Sequence, residues 1–119
     1  MKLSSSAIPS SETFQTNQRN HLDALETIRE AAEAARLGGG ERARRRHEDR
    51  GKMLPRRRIR TLLDPDSPFL EIGATAAHNM YDNAAPSGGV IAGIGRVHGI
   101  ECMIVCNDAT VKGGTYYPM

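Results

Sequence analysis

Gly88-Gly-Val-Ile-Ala-Gly-Ile-Gly-Arg-Val97, then His98-Gly99, then Ile100-Glu-Cys-Met-Ile-Val-Cys106 is the stretch whose reading decides the fold. Two runs rich in β-branched and apolar residues flank two residues ending in glycine. Glycine supplies the positive φ of a tight turn without strain, so the pattern predicts a β-hairpin. In the second run Ile100, Cys102, Ile104 and Cys106 alternate with Met103 and Val105. Both faces of that strand read as apolar, so it is expected inside a larger sheet, covered by other elements. Gly93 and Gly95 lie within a strand, where glycine marks close packing or a bulge. They do not lie between a strand and a helix, where a phosphate loop would sit. Beyond the hairpin the chain turns polar: Asp108, Thr110 and Lys112 precede Gly113-Gly114, where a backbone can come close to a ligand.

Upstream, the chain reads as three helices and one strand. Residues 1–15 are rich in Ser and Thr, contain Pro9 and lack periodicity, which predicts a disordered leader. From Asn17 to Leu37, Leu22, Leu25, Ile28, Ala32 and Ala35 recur at spacings of three and four, the stripe of an amphipathic helix that Gly38-Gly39-Gly40 ends. Glu41 to Arg50 is expected as a second, basic helix, with Glu41 in its first turn. Pro55 suits the start of a third helix that runs through Ile59, Leu62 and Leu63 until Asp64-Pro65. Phe69-Leu-Glu-Ile72 alternates as a short strand, and a loop is expected from Gly73 to Ser87. The expected class is α+β, with N-terminal helices followed by a hairpin and small sheet: a helical, Arg-rich region over 16–65 and a β-rich region over 66–119.

Charge is unevenly placed. The net charge is +2, yet Arg36 to Arg60 holds eleven Lys or Arg against three acidic residues. With 39% hydrophobic residues, no Trp and two Phe among 119 residues, an independent core is expected to be marginal. Cys102 and Cys106 share a strand face but lie about 13 Å apart, too far for a disulfide. Reduced thiols of that kind fit a cytoplasmic protein. No apolar run reaches the ~20 residues of a membrane span. His21, His47, His78 and His98 match no ligand spacing, and two cysteines four apart on a strand cannot both reach one ion, so no metal is expected.

Three segments carry a family resemblance. Asn107-Asp-Ala-Thr-Val-Lys-Gly-Gly-Thr-Tyr-Tyr-Pro118 resembles the N-terminal part of the carboxyltransferase (β, non-biotin) subunit of acyl-CoA carboxylases, nearest the methylcrotonyl-CoA type with the geranyl-CoA type close behind. Gly51-Lys-Met-Leu-Pro-Arg-Arg-Arg-Ile-Arg-Thr-Leu-Leu-Asp-Pro65 is similar to the Gly-Lys, Arg-Glu-Arg-Ile and Leu-Leu-Asp-Pro elements of that family, and so is Leu37-Gly-Gly-Gly40 with His47 and Arg50-Gly-Lys52. The resemblance covers roughly residues 17 to 119. One departure is Arg57, where the family carries a glutamate between two arginines, which leaves the local ion pairing open.

The resemblance implies the opening of a crotonase-like α/β domain, with 66–119 as its incomplete β-rich start. It implies transfer of a carboxyl group from carboxybiotin, a co-substrate on a biotin-carrying α subunit, to 3-methylcrotonyl-CoA, in a homo-oligomer of β subunits. The family's oxyanion glycines lie further along than this sequence reaches. No catalytic residue and no cofactor bound by this chain are therefore expected, and the chain alone is expected to be inactive. Lys112, Gly113, Gly114 and Thr115 are the candidate contacts to CoA, because exposed N–H groups beside a lysine suit phosphate. Without the family, the same residues read as a glycine turn with a solvated lysine. The basic patch Arg44, Arg45, Arg46, Arg50, Lys52 and Arg56 reads as a solvated helix face, as a CoA-phosphate or partner-subunit contact, or as a nucleic-acid surface. No aromatic residue between Arg36 and Arg60 offers bases a stacking platform, which counts against single-stranded nucleic acid. The alternative function is a non-catalytic basic interaction module.

Overall fold

A computed structural model of the chain describes residues 4–118. Two compact units are present, Met1–Glu30 and Ala31–Met119, and the division falls within the first helix. That helix, α1 (Glu12–Arg36), begins five residues earlier than the apolar stripe suggests. Ser11 is the cause: its hydroxyl oxygen accepts the Phe14 N–H at 3.2 Å, which is the N-cap bond that starts a helix. In the first unit Leu22, Leu25 and Ile28 form the expected stripe and stay exposed. Of the leader expected over 1–15, residues 1–3 lie outside the described part.

In the second unit, Leu37-Gly38-Gly39 separates α1 from α2 (Gly40–Asp49), and α3 (Pro55–Leu62) opens with its proline in the first turn. The strands β1 (Phe69–Ile72), β2 (Val90–Val97) and β3 (Ile100–Asn107) form one antiparallel sheet in the order β1-β2-β3. The register between β2 and β3 is unbroken from Val90↔Asn107 to Val97↔Ile100, so the strand glycines mark close packing and no bulge. A Cβ on Gly93 would run into the Phe69 ring, and one on Gly95 into Leu63.

The turn between β2 and β3 is His98-Gly99, with φ of 50° and 79°, the two-residue type the sequence predicts. Asp64, just past α3, clamps it: its two carboxylate oxygens accept the His98 N–H at 2.6 Å and the Gly99 N–H at 2.7 Å. The Gly99 bond, then the bond from His98 and the charges of His98 and Arg96, hold the Asp64 carboxyl below the usual carboxylate range.

One face of the sheet is covered. Ile59 of α3 packs with Ile91, Ile104 and Cys106, and Leu63, Phe69, Val97 and Cys102 surround them. Burying each of these larger side chains stabilises by roughly 1.5–3 kcal/mol, which is what docks α3. The other face departs from the expected cover. Leu70, Ile94 and Met103 form one row across the three strands, and Ile72, Ala92 and Val105 the next. Leu70, Met103 and Val105 are 65%, 60% and 65% exposed. Both faces of β3 are apolar, as the sequence indicates, but residues 4–118 bring their helix to one of them only. Cys102 and Cys106 are free thiols, the second buried under α3.

Candidate functional site

The segment after β3 turns back towards α2 through a chain of polar contacts. The Asp108 N–H donates to the Gly89 carbonyl at 2.9 Å, which fixes where β3 leaves the sheet. Asp108 Oδ1 then accepts the Thr110 N–H at 2.9 Å and the Thr110 hydroxyl at 2.5 Å. The Thr110 hydroxyl oxygen in turn accepts the Gly39 N–H at 3.0 Å. Asp108 and Thr110 are both buried, and Val111 beside them is almost wholly so. Only glycines allow this approach: a Cβ on Gly39 would overlap the Thr110 carbonyl, and one on Gly38 would overlap the Asp108 carboxylate. The Gly38-Gly39 linker is thereby riveted to the Asp108–Thr110 turn, and a basic cleft opens on either side.

The first cleft, of ≈ 410 Å³, is lined by Arg42, Arg46 and His47 from α2, by Arg50 at its C-terminal cap, and by Thr110, Lys112 and Gly113 from the turn opposite. It has no acidic lining residue. Arg42, Arg46 and Arg50 stand four apart, on one helix face. His47 Nε2 is 3.2 Å from the Met53 carbonyl, which makes that nitrogen the protonated one and turns the ring at the cleft's edge. A 3-10 turn, Lys112–Gly114, closes the far wall. Lys112 takes φ 44° and Gly113 φ 70°, and the Lys112 ammonium sits 4.0 Å above the Tyr117 ring, whose attraction steadies it without neutralising it. Four permanent cations around one concavity suit a multiply charged anion, and guanidinium groups suit phosphate in particular.

The sequence-level candidates divide on this geometry. Lys112 and Gly113 line the first cleft with Arg46 and Arg50 of the basic patch. Gly114 and Thr115 do not line it; the Thr115 hydroxyl donates to the Lys112 carbonyl at 2.8 Å and supports the turn from behind. Arg44 and Arg56 line the second cleft. Arg45 pairs with Glu41 one turn back, and Lys52 lines neither cleft. Arg42 and His47 are wall residues outside the candidate set, although a spacing of four from Arg46 and Arg50 marks Arg42 as their neighbour. The ion pair left open by Arg57 is resolved: Arg56 forms a fork with Glu71, with both N–O distances 2.7 Å. Its bonds hold the Glu71 carboxyl below its ordinary value.

Known proteins agree with this fold. Residues 46–119 match the family described as carboxyl transferase domain. The biotin-dependent 3-methylcrotonyl-coenzyme A carboxylase beta1 subunit of Mycobacterium tuberculosis is 65% identical over 86 residues, covering 72% of this chain and 16% of the relative. The crystal structure of the P. aeruginosa geranyl-CoA carboxylase beta subunit superposes with a TM-score of 0.81 at 34% identity, over 96% of this chain and 21% of the other. The transcarboxylase 12S structure with hydrolysed methylmalonyl-coenzyme A bound superposes with a TM-score of 0.67 at 34% identity, over 76% and 18%. The fold is thus that of part of a crotonase-like carboxyltransferase β subunit. The chain belongs to the carboxyl transferase domain family and spans about a fifth of the length of these relatives. Among the described residues no helix is long and apolar enough to cross a membrane, and no cluster of three His, Cys, Asp or Glu side chains could hold a metal ion.

Proposed function

We propose that the chain is part of the carboxyltransferase (β, non-biotin) subunit of a biotin-dependent acyl-CoA carboxylase whose acceptor is 3-methylcrotonyl-CoA, and that the first cleft holds the phosphates of CoA. The observation that carries this is the convergence of Lys112 and Gly113 with Arg42, Arg46 and Arg50 on one concavity with no acid in its lining. The 65% identity to a 3-methylcrotonyl-coenzyme A carboxylase subunit supports the acceptor, and the coenzyme A in the transcarboxylase 12S structure supports the ligand. The carboxyl group comes from carboxybiotin, a co-substrate on a biotin-carrying α subunit. Biotin's ring system is uncharged, which does not suit a lining of four cations, so no residue here is assigned to it. Nor is any residue assigned a catalytic role: this part of the subunit binds and orients the nucleotide end of the thioester. The whole subunit works as a homo-oligomer in the cytoplasm, in keeping with the two free thiols.

Calorimetric titration with CoA and with 3′-dephospho-CoA, at about 50 and 300 mM salt, tests the reading. CoA should bind more tightly than the dephospho form, affinity should fall as salt rises, and the Arg46→Ala/Lys112→Ala double variant should weaken CoA at least tenfold. Equal affinity for the two coenzymes, or displacement of CoA by mixed-sequence RNA, would replace the reading with that of a basic interaction module.

A further inference from the structure

On the other side of the Gly39–Thr110 contact lies a second cleft, of ≈ 310 Å³, lined by Arg36, Leu37, Arg44, Leu54, Pro55, Arg56, Arg57, Arg60, Asp108 and Thr110. Five guanidinium groups from α1, α2 and α3 meet there. Two are engaged by carboxylates: Arg36 with Glu33 at 3.4 Å, and Arg56 with Glu71 through its fork. Asp108, the one acidic lining residue, is committed to the Thr110 amide and hydroxyl. Arg44, Arg57 and Arg60 have no acidic partner among the described residues. Three cations without an ion-pair partner, from two helices, share this lining with the single Asp108 carboxylate, so they repel unless a further anion lies between them. We propose that this second cleft binds an oligophosphate group, two or more linked phosphates, at a site separate from the first.

Charge and size both select that chemistry. Three unpaired guanidinium groups match the two to four negative charges of an oligophosphate, and each planar fork fits a phosphate edge with two hydrogen bonds. A volume of ≈ 310 Å³ is that of a small-ligand pocket and too small for an extended peptide strand. Leu37, Leu54 and Pro55 form an apolar side wall against which a flat base can lie, so a nucleotide and a free oligophosphate are the two sources of the group.

Titration of the 119-residue chain with inorganic tripolyphosphate, ADP, adenosine, sulfate and a short polyglutamate peptide tests the site. In the Arg46→Ala/Lys112→Ala variant, which disables the first cleft, tripolyphosphate or ADP should still saturate one site, and adding Arg57→Glu should weaken that binding at least tenfold. Arg57 is exposed, so the variant keeps the fold, which an unchanged circular dichroism spectrum and urea midpoint verify. Arg44→Gln, which removes the charge and keeps a polar side chain, should weaken it about as much. ADP tighter than tripolyphosphate identifies a nucleotide, and the reverse order a free oligophosphate. Unchanged binding in both variants, sulfate as tight as tripolyphosphate, polyglutamate tighter than either phosphate, or no saturable binding would each overturn the proposal.

Discussion

Replacing Gly39 by Ala tests the contact that holds both clefts open. Gly39 has φ −72°, so alanine adopts its backbone without strain. Away from other contacts the change would stabilise by about 0.4–1 kcal/mol, because alanine restricts the unfolded chain. Here the added methyl group would overlap the Thr110 carbonyl and crowd Ala43 at 3.2 Å. Overpacking against backbone costs about 1–3 kcal/mol. Moving the linker away also stretches the 3.0 Å bond from the Gly39 N–H to the Thr110 hydroxyl, worth about 1 kcal/mol more. The net expectation is a loss of about 2 kcal/mol. With a denaturant slope of about 1–3 kcal/mol/M, the urea midpoint should fall by roughly 1 M. CoA affinity should fall too, since the same contact sets the distance between α2 and Lys112. A variant as stable as the parent, or more so, would refute the close approach and with it the geometry of both clefts.

The Arg56–Glu71 fork should make stability depend on pH on the acid side. The folded carboxyl titrates below its ordinary value near 4.5, so its contribution is complete above that value and disappears as pH falls through the lower, folded value. Glu71→Gln should cost about 1–2 kcal/mol at pH 7, the pair being partly open to solvent, and should flatten the decline below the ordinary carboxylate value in thermal melts. An equally steep decline in the variant would remove the fork from the explanation. Asp64→Ala removes the acceptor of both turn amides. Exchange of the His98 and Gly99 amide protons should speed up, and the urea midpoint should drop; amide protection as strong as in the parent would show that the turn holds itself.

Local pattern made most of the elements legible. Pro55 at the start of α3, the alternation of Phe69–Ile72 and the His98-Gly99 turn each act over a few residues, and each appears where the sequence puts it. The start of α1 was obscured because the apolar stripe begins at Leu22, whereas the helix begins at a polar cap, Ser11. The site was half legible. Lys112-Gly113 and the arginine run stand out in composition, but their sorting into two clefts depends on contacts across about seventy residues, such as Gly39 to Thr110, which no periodicity encodes. Asp64 could be read as a helix stop but not as the clamp on a turn 34 residues away. The bare row of Leu70, Ile94 and Met103 reflects the same limit: a strand with two apolar faces shows that cover is wanted, not where it comes from.

The most direct measurement is an amide-resolved NMR titration of the chain with CoA. The expected result is saturable shifts confined to Arg42–Arg50 and Ala109–Gly114, the two walls of the first cleft, with residues 55–60 unmoved at low occupancy. Shifts that first appear on α3, or that follow charge along the whole of Arg36 to Arg60 without saturating, would contradict a CoA-phosphate site between α2 and Lys112.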